Sequence, residues 1–184
     1  MKGLLGHDMK IDKLLIWPNK QLFQRSNKVE NFDKDLEDTL KQMFVLMQTY
    51  NGAGFAAPQA GIMLRMFVMR RTEAECGLAI VNPEIIERSN ETFENAEGCL
   101  SFPGVFIPIK RYASIKVRFQ TENGDFVEMP FAQTEAGIVQ HEIDHLDGIP
   151  FIKMLSELNK ARIAPLLKKI KRSIKSHRSS QTQK

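Results

Sequence analysis

The chain has 184 residues, 42% of them apolar and 26% charged, a size and balance that suit one soluble globular domain and exclude a disordered or fibrous protein. Its apolar runs, such as "LLIW" at 14–17 and "MFVM" at 66–69, are far shorter than the roughly 18 residues of a membrane span, and His7, Asp8 and Lys10 interrupt the N-terminal hydrophobic residues that a secretory signal would need. The net charge of +4 is unevenly divided: nine Lys or Arg and no acid follow residue 157, whereas residues 1–157 carry 17 basic and 22 acidic groups. The expectation is a cytoplasmic protein with a mildly acidic body, a strongly basic tail and no membrane or DNA partner.

In chain order, the first helix is predicted over 33–49, where Leu36, Leu40, Phe44 and Met47 recur at helical spacing after Asp33 as N-cap, and "NGAG" ends it. Short β runs follow at 65–70 and 78–82. "SIKVRFQ" and "DFVEMPF" flank Asn123-Gly124, a strong hairpin signal, so the sheet is read as mainly antiparallel. A second helix is predicted over 134–146, capped by Thr134 and stopped by Gly148 and Pro150. A last helix is expected over 156–176, with Pro165 either kinking it or opening a further helix. The fold class is α+β: antiparallel sheets around a central helix, with one helix in the N-terminal half and one at the C-terminus.

The central helix carries the chemistry. In "QHEIDHLDG" (140–148), His141 and His145 lie one turn apart on one face, so both imidazoles reach one ion. Glu142 sits beside them, turned about 100° round the axis, near enough to exchange a proton with an activated water without being a ligand. The bland reading is an amphipathic helix whose histidines pack on the core. A third ligand is not found in the usual downstream places: the position for a third His holds Phe151, and Glu157 is the only acid after Asp147. Upstream, "EGCLSFPG" (97–104) offers Cys99, whose thiolate would complete a Cys/His/His site with an open position. "GAGFAAPQAG" (52–61) offers small residues for close backbone approach and Gln59 as a donor to a developing oxyanion. Gly137, one turn before His141, either leaves space beside the metal for a substrate side chain, with Ile138 as an apolar wall, or simply permits close packing of the helix.

These three segments, in this order, resemble the peptide deformylase family, whose motifs are Gly-x-Gly-φ-Ala-Ala-x-Gln, Glu-Gly-Cys-Leu-Ser and His-Glu-x-Asp-His. The chain carries them as Gly52 to Gln59, Glu97 to Ser101 and His141 to His145. The resemblance runs from about residue 14 through "FIKMLS", so 1–155 is read as the catalytic part and 156–184 as a C-terminal helix and basic tail of the same domain. It implies removal of the formyl group from N-formylmethionyl peptides, with one divalent ion, natively Fe(II) and replaceable by Zn, Ni or Co, on Cys99, His141 and His145. It further implies attack by metal-bound hydroxide, Glu142 as general acid and base, and an oxyanion held by Gln59 and the Leu100 N–H. Gly52, Gly54, Phe55, Glu97 and Gly98 fall beside the substrate, whose backbone pairs with main chain near Gly54 and after the cysteine motif.

Two positions depart from the family pattern: Asn51 replaces an acid common before the first glycine motif, and Phe106 falls where an Arg is frequent. Arg111 is read either as a partner of Glu97 or Asp144 or as a surface residue; Cys76 is read as a free thiol, and His7 and His177 receive no role. The competing functions are a His-Glu-x-x-His peptidase, which leaves Cys99 and Gln59 idle, and a non-catalytic RNA-binding protein, which leaves Glu142 idle. In the tail, Ile163, Leu167, Ile170 and Ile174 form an apolar stripe, leaving Lys168, Lys169, Lys171, Arg172 and Lys175 toward solvent. That basic face suits the ribosome near its exit tunnel, as the resemblance implies; the alternative is a solvated helix with a disordered end.

Overall fold

The computed structural model describes residues 11, 13–71 and 77–181, with side chains as far as residue 176. His7, Cys76 and the His177 side chain lie outside the described residues.

Helix α1, Lys34–Thr49, begins where Asp33 Oδ1 accepts the Leu36 N–H at 3.1 Å and buries Leu36, Leu40, Met43 and Met47. Met43 takes the central place in that face, whereas Phe44 is only partly buried against it. The helix ends as expected: Asn51 turns left-handed at φ 53° and the Gly52 N–H returns to the Met47 carbonyl at 2.8 Å.

Five strands make an antiparallel sheet in the order β1 (Gly54–Ala56), β2 (Met66–Met69), β3 (Leu78–Arg88), β6 (Ser114–Gln120) and β7 (Phe126–Ala132). The β6–β7 hairpin turns at Gly124, φ 90°. Strands β4 (Thr92–Cys99) and β5 (Phe102–Tyr112) form a separate antiparallel pair that the sequence reading did not contain. The signal was present in β5, where Val105, Ile107, Ile109 and Arg111 alternate inward, but Pro103 and Pro108 argue against a strand. Both are tolerated because β5 is paired on one side only, so a residue without an N–H costs no ladder bond on the free edge.

Helix α2, Gln133–Leu146, is capped differently from expectation. Thr134 lies inside the first turn, and Ala132, which has no capping side chain, precedes the helix. The reason is the strand before it: Ala132 is still paired with Ser114, so β7 runs directly into the helix through Gln133, held left-handed at φ 49° with its N–H on the Ala113 carbonyl at 2.7 Å. Asp147 closes the far end and Gly148, φ 68°, redirects the chain.

Three apolar clusters surround α2. One lies between α1 and β1–β2; the second joins the sheet to α2 through Phe67, Phe119, Phe131, Val139 and Leu146; the third packs β5 on Phe151 and α3 (Glu157–Gln181). Helix α3 is continuous through Pro165, which lies on its exposed face, where solvent is available to the carbonyl that loses its partner. Ile163 and Ile170 are buried and Leu167 and Ile174 partly buried, as the stripe predicted. Burial of the two isoleucines is worth about 1.5–3 kcal/mol each, so the helix is structurally continuous with the body. No helix among the described residues is long and apolar enough to cross a membrane.

Candidate metal centre

Two elements bring the ligands together. The β4–β5 hairpin delivers Cys99 at the end of β4, next to a shift in register between Gly98 and Cys99. Helix α2 delivers His141 and His145, whose rings meet edge to face with centroids 5.0 Å apart. One ligand atom from each of Cys99, His141 and His145 lies within 4.8 Å of the others, and Cys99 Sγ is 3.1 Å from His145 Nε2.

A soft sulfur and two imidazole nitrogens are the donors that a four-coordinate divalent ion with one open position takes. Glu142 Oε2, beside these ligands, is buried without a hydrogen-bond partner among the described residues, and such a group ordinarily signals an ion or water. The residues therefore fit a divalent metal.

Around the ligands lies a buried ion network. Glu97 Oε2 bonds His141 Nδ1 at 2.8 Å, which fixes the ring and leaves Nε2 to face the site. Arg111 grips the same carboxylate with two bonds, Nε to Oε1 at 2.6 Å and Nη2 to Oε2 at 2.9 Å, and reaches Asp144 Oδ2 on α2 at 2.6 Å. The two expected partners of Arg111 are thus both engaged, and its side chain is 5% exposed, not on the surface.

Burial works against the Glu97 charge, but Arg111 and His141 outweigh it and hold its carboxyl below the usual range. Burial likewise opposes the His141 proton, yet hydrogen bonds to Cys99 and Glu97 raise its affinity well above that of a free imidazole. His145, buried and beside His141, is shifted well below it. For Glu142, burial dominates and pushes the carboxyl up to about 7, the range of a group that exchanges protons near neutrality.

A cavity of about 600 Å³ opens onto these groups between the outer edge of β1 and the β4–β5 hairpin. Gly52, Gly54, Gln59, Glu97, Gly98, Cys99, Leu100, Gly137, Ile138, His141 and Glu142 all line it, so most of the residues singled out in the sequence converge here. His145 is fully buried behind them. Phe55 is placed differently: its ring is fully buried in the α1 core, which leaves only its main chain for a substrate. Leu100 stands in the turn of the hairpin, outside the ladder pairing.

Gln59 has its orientation fixed, since its Oε1 accepts the Ala56 N–H at 2.8 Å while Nε2 points to Cys99 Sγ at 3.6 Å and Ser101 Oγ at 3.2 Å. Tyr50, Asn95, Thr134 and the exposed ring of Phe106 also line the cavity. Asn95 was missed with its strand, although Phe93, Asn95 and Glu97 show the two-residue alternation of one face.

The constellation defines an α+β metallohydrolase, with a Cys/His/His ligand set and a carboxylate beside it. The family model for polypeptide deformylase matches residues 11–161, and the chain belongs to that family. It is 39% identical over 163 residues to the peptide deformylase of Thermotoga petrophila, covering 89% of this chain and 98% of the other. The Borreliella burgdorferi peptide deformylase is 37% identical over 151 residues, 82% of this chain and 92% of the relative. Among solved structures, a Plasmodium falciparum peptide deformylase superposes with TM-score 0.83 at 32% identity, over 89% of this chain and 98% of that one. The Thermotoga maritima enzyme gives 0.75 at 40% identity, over 78% and 97%. The chain is a metal-dependent hydrolase that removes the N-formyl group from N-formylmethionyl peptides.

Gly54 has a sharper reason to be glycine than backbone pairing alone. A Cβ there would fall 2.3 Å from Glu142 Oε1 and 2.8 Å from its Cδ, so the carboxylate occupies the space that any side chain would need. Gly54→Ala should displace Glu142 and lower the rate of formate release by about 10²-fold, the cost of a misplaced catalytic group, while metal analysis finds the ion retained. Unchanged turnover would show that the carboxylate position is not critical.

Proposed function

We propose that Glu142 is the general base and acid of formyl hydrolysis, with Gln59 and the Leu100 N–H as oxyanion donors and Cys99, His141 and His145 as ligands of Fe(II), the ion implied by the family resemblance. The observation that carries the reading is a buried Glu142 carboxylate oxygen, unpartnered among the described residues, at a cavity that Cys99 and His141 of the three-ligand cluster also border. When bound, the ion supplies Lewis-acid polarisation of the formyl oxygen and acidifies water. Glu142 takes the proton of the attacking water and passes it to the leaving amine as the C–N bond breaks, giving formate and a free N-terminus. Gln59 Nε2, aimed by the Ala56 N–H, donates to the oxygen on which negative charge develops. The peptide adds as a strand at the free edge of β1 and along the β4–β5 hairpin; main-chain pairing there tolerates varied sequences after methionine.

Sulfur and imidazole donors accommodate Fe, Zn, Ni or Co, so anaerobic metal analysis of the protein as isolated identifies the resident ion. Glu142→Gln should keep the metal and lose at least ~10²-fold in rate. Loss of metal instead would make Glu142 a ligand and overturn its assignment.

The first side chain of the substrate is assigned to the space bordered by Gly137 and Ile138. A Cβ on Gly137 would meet Phe93 Cζ at 3.4 Å and Asn95 Nδ2 at 3.7 Å, ordinary contacts, so one methyl fits but a branched side chain enters the cavity. Gly137→Leu should raise KM for formyl-Met peptides with metal content unchanged. Kinetics identical to those of the unaltered protein would place the side chain elsewhere.

The protein is read as cytoplasmic and as working at the ribosome, with residues 1–155 as its catalytic part. Lys168, Lys169, Lys171 and Arg172 are exposed on α3 while its apolar stripe is engaged with the body, so this basic face is available to a phosphate backbone. Deleting α3 would uncover the β5 face, and reversal of charge is the cleaner test. Lys168→Glu with Lys169→Glu and Arg172→Glu should leave formate release from short peptides intact and abolish salt-sensitive cosedimentation with ribosomes. Cosedimentation indifferent to both changes would remove the tail from the functional account.

A further inference from the structure

The cavity wall opposite Gly137 is polar where a methionine side chain alone would call for an apolar one. Asn95 points inward from β4, half-buried, between Phe93 and Glu97 on the same face of the strand. Its amide lines the cavity and has no hydrogen-bond partner among the described residues, and the Thr134 hydroxyl, one turn before Gly137 on α2, lines the same cavity equally unpartnered. The place that a Cβ on Gly137 would take is empty, lies 3.7 Å from Asn95 Nδ2 and is in ordinary contact with Phe93 Cζ at 3.4 Å. With no side chain on Gly137 to cover it, the Asn95 amide faces the cavity and is open to an acceptor atom of a substrate in that cavity at the roughly 2.9 Å of an N–H···O bond.

We propose that Asn95 is a specificity-determining residue that admits formylated peptides whose first side chain carries an oxygen acceptor near its end, above all N-formylmethionine sulfoxide. This rests on the assignment of the first side chain to the space beside Gly137. Oxidation of methionine adds one oxygen to the thioether and makes a flexible apolar chain polar. In a wholly apolar pocket that oxygen would be buried without a partner, at a cost of about 1–3 kcal/mol, or roughly 10–100-fold in kcat/KM. Asn95 Nδ2 supplies the missing donor, while Ile138 packs on the methylene part. The reaction is unchanged: one water is consumed, the formyl C–N bond breaks, formate and the free amine leave, and the S–O bond takes no part, so no reductant is needed.

The test compares kcat/KM of the metal-loaded full chain for formyl-Met(O)-Ala-Ser and formyl-norleucyl-Ala-Ser, the second being apolar and similar in length. The expected ratio for the unaltered protein is within about tenfold of unity. In Asn95→Leu it falls by a further tenfold or more, the scale of one lost hydrogen bond plus an unsatisfied oxygen. Asn95→Asp, equal in size but without an N–H when ionised, should show the same fall, so the result does not depend on whether the leucine variant folds well. Calorimetric binding of the product peptides Met(O)-Ala-Ser and norleucyl-Ala-Ser should follow the same order, independently of turnover. A ratio of about a hundredth or less in the unaltered protein, or a ratio unmoved by both substitutions, overturns the proposal. If Gly137→Leu raises KM for both peptides while the ratio ignores Asn95, only the role of Asn95 fails; if Gly137→Leu changes neither peptide, the pocket assignment fails and the proposal with it.

Discussion

Arg111 holds the site together. From β5 it binds both oxygens of Glu97 on β4 and reaches Asp144 on α2, so one guanidinium ties the cysteine-bearing hairpin to the histidine-bearing helix. Glu97 continues the chain of bonds to His141, fixing the ring that faces Cys99. Arg111 and Glu97 are 6% and 7% exposed, so each charge depends on the other for what water would otherwise supply. Removing one partner of such a pair commonly costs about 3–5 kcal/mol. Here the loss would also release the two elements that must meet at the metal from each other. Geometry favours Arg over Lys, since only a planar fork can bind one carboxylate with two donors and still offer a third to Asp144.

A second constraint acts on the opposite wall. Strand β1 must come close to α2 for its free edge to face the metal, and Glu142 already fills the gap. The missing side chain of Gly54 makes that approach sterically permissible. The same economy recurs at Gly98, where a Cβ would fall 2.5 Å from the Phe106 ring. The absence of that carbon lets an aromatic side chain, 71% exposed, lie across the hairpin at the cavity mouth. Glycine serves here less for unusual backbone angles than for allowing other groups to occupy its place.

The basic tail has two faces with separate physical tasks. Its apolar stripe completes the core beneath β5 with Phe102, Phe151, Ile163 and Ile170. Lys168, Lys169, Lys171 and Arg172, excluded from that contact, are exposed and available for long-range attraction. The helix can therefore contribute to stability and to an encounter with a polyanion without either role compromising the other.

The sequence determined the ligand chemistry and much of the frame. Helical spacing placed His141 and His145 on one face, Asp33 marked the start of α1, and Asn123-Gly124 marked the β6–β7 hairpin, because each depends on interactions within a few residues. Cys99 was identifiable as a candidate, since a lone cysteine in a glycine-flanked segment completes a donor set that the downstream residues lack. Only the tertiary structure decided what depends on distant neighbours. The β4–β5 pair was hidden by prolines that a one-sided strand can accept, and with it went Asn95. Thr134 carries a capping side chain, yet the end of β7 set where α2 begins. Whether Phe55 faced the substrate or the core, and whether Arg111 was a surface residue or a buried tie, depended on which surfaces α1, α2 and the two sheets leave for each other. Local chemistry is written along the chain, whereas burial is a property of the packed whole.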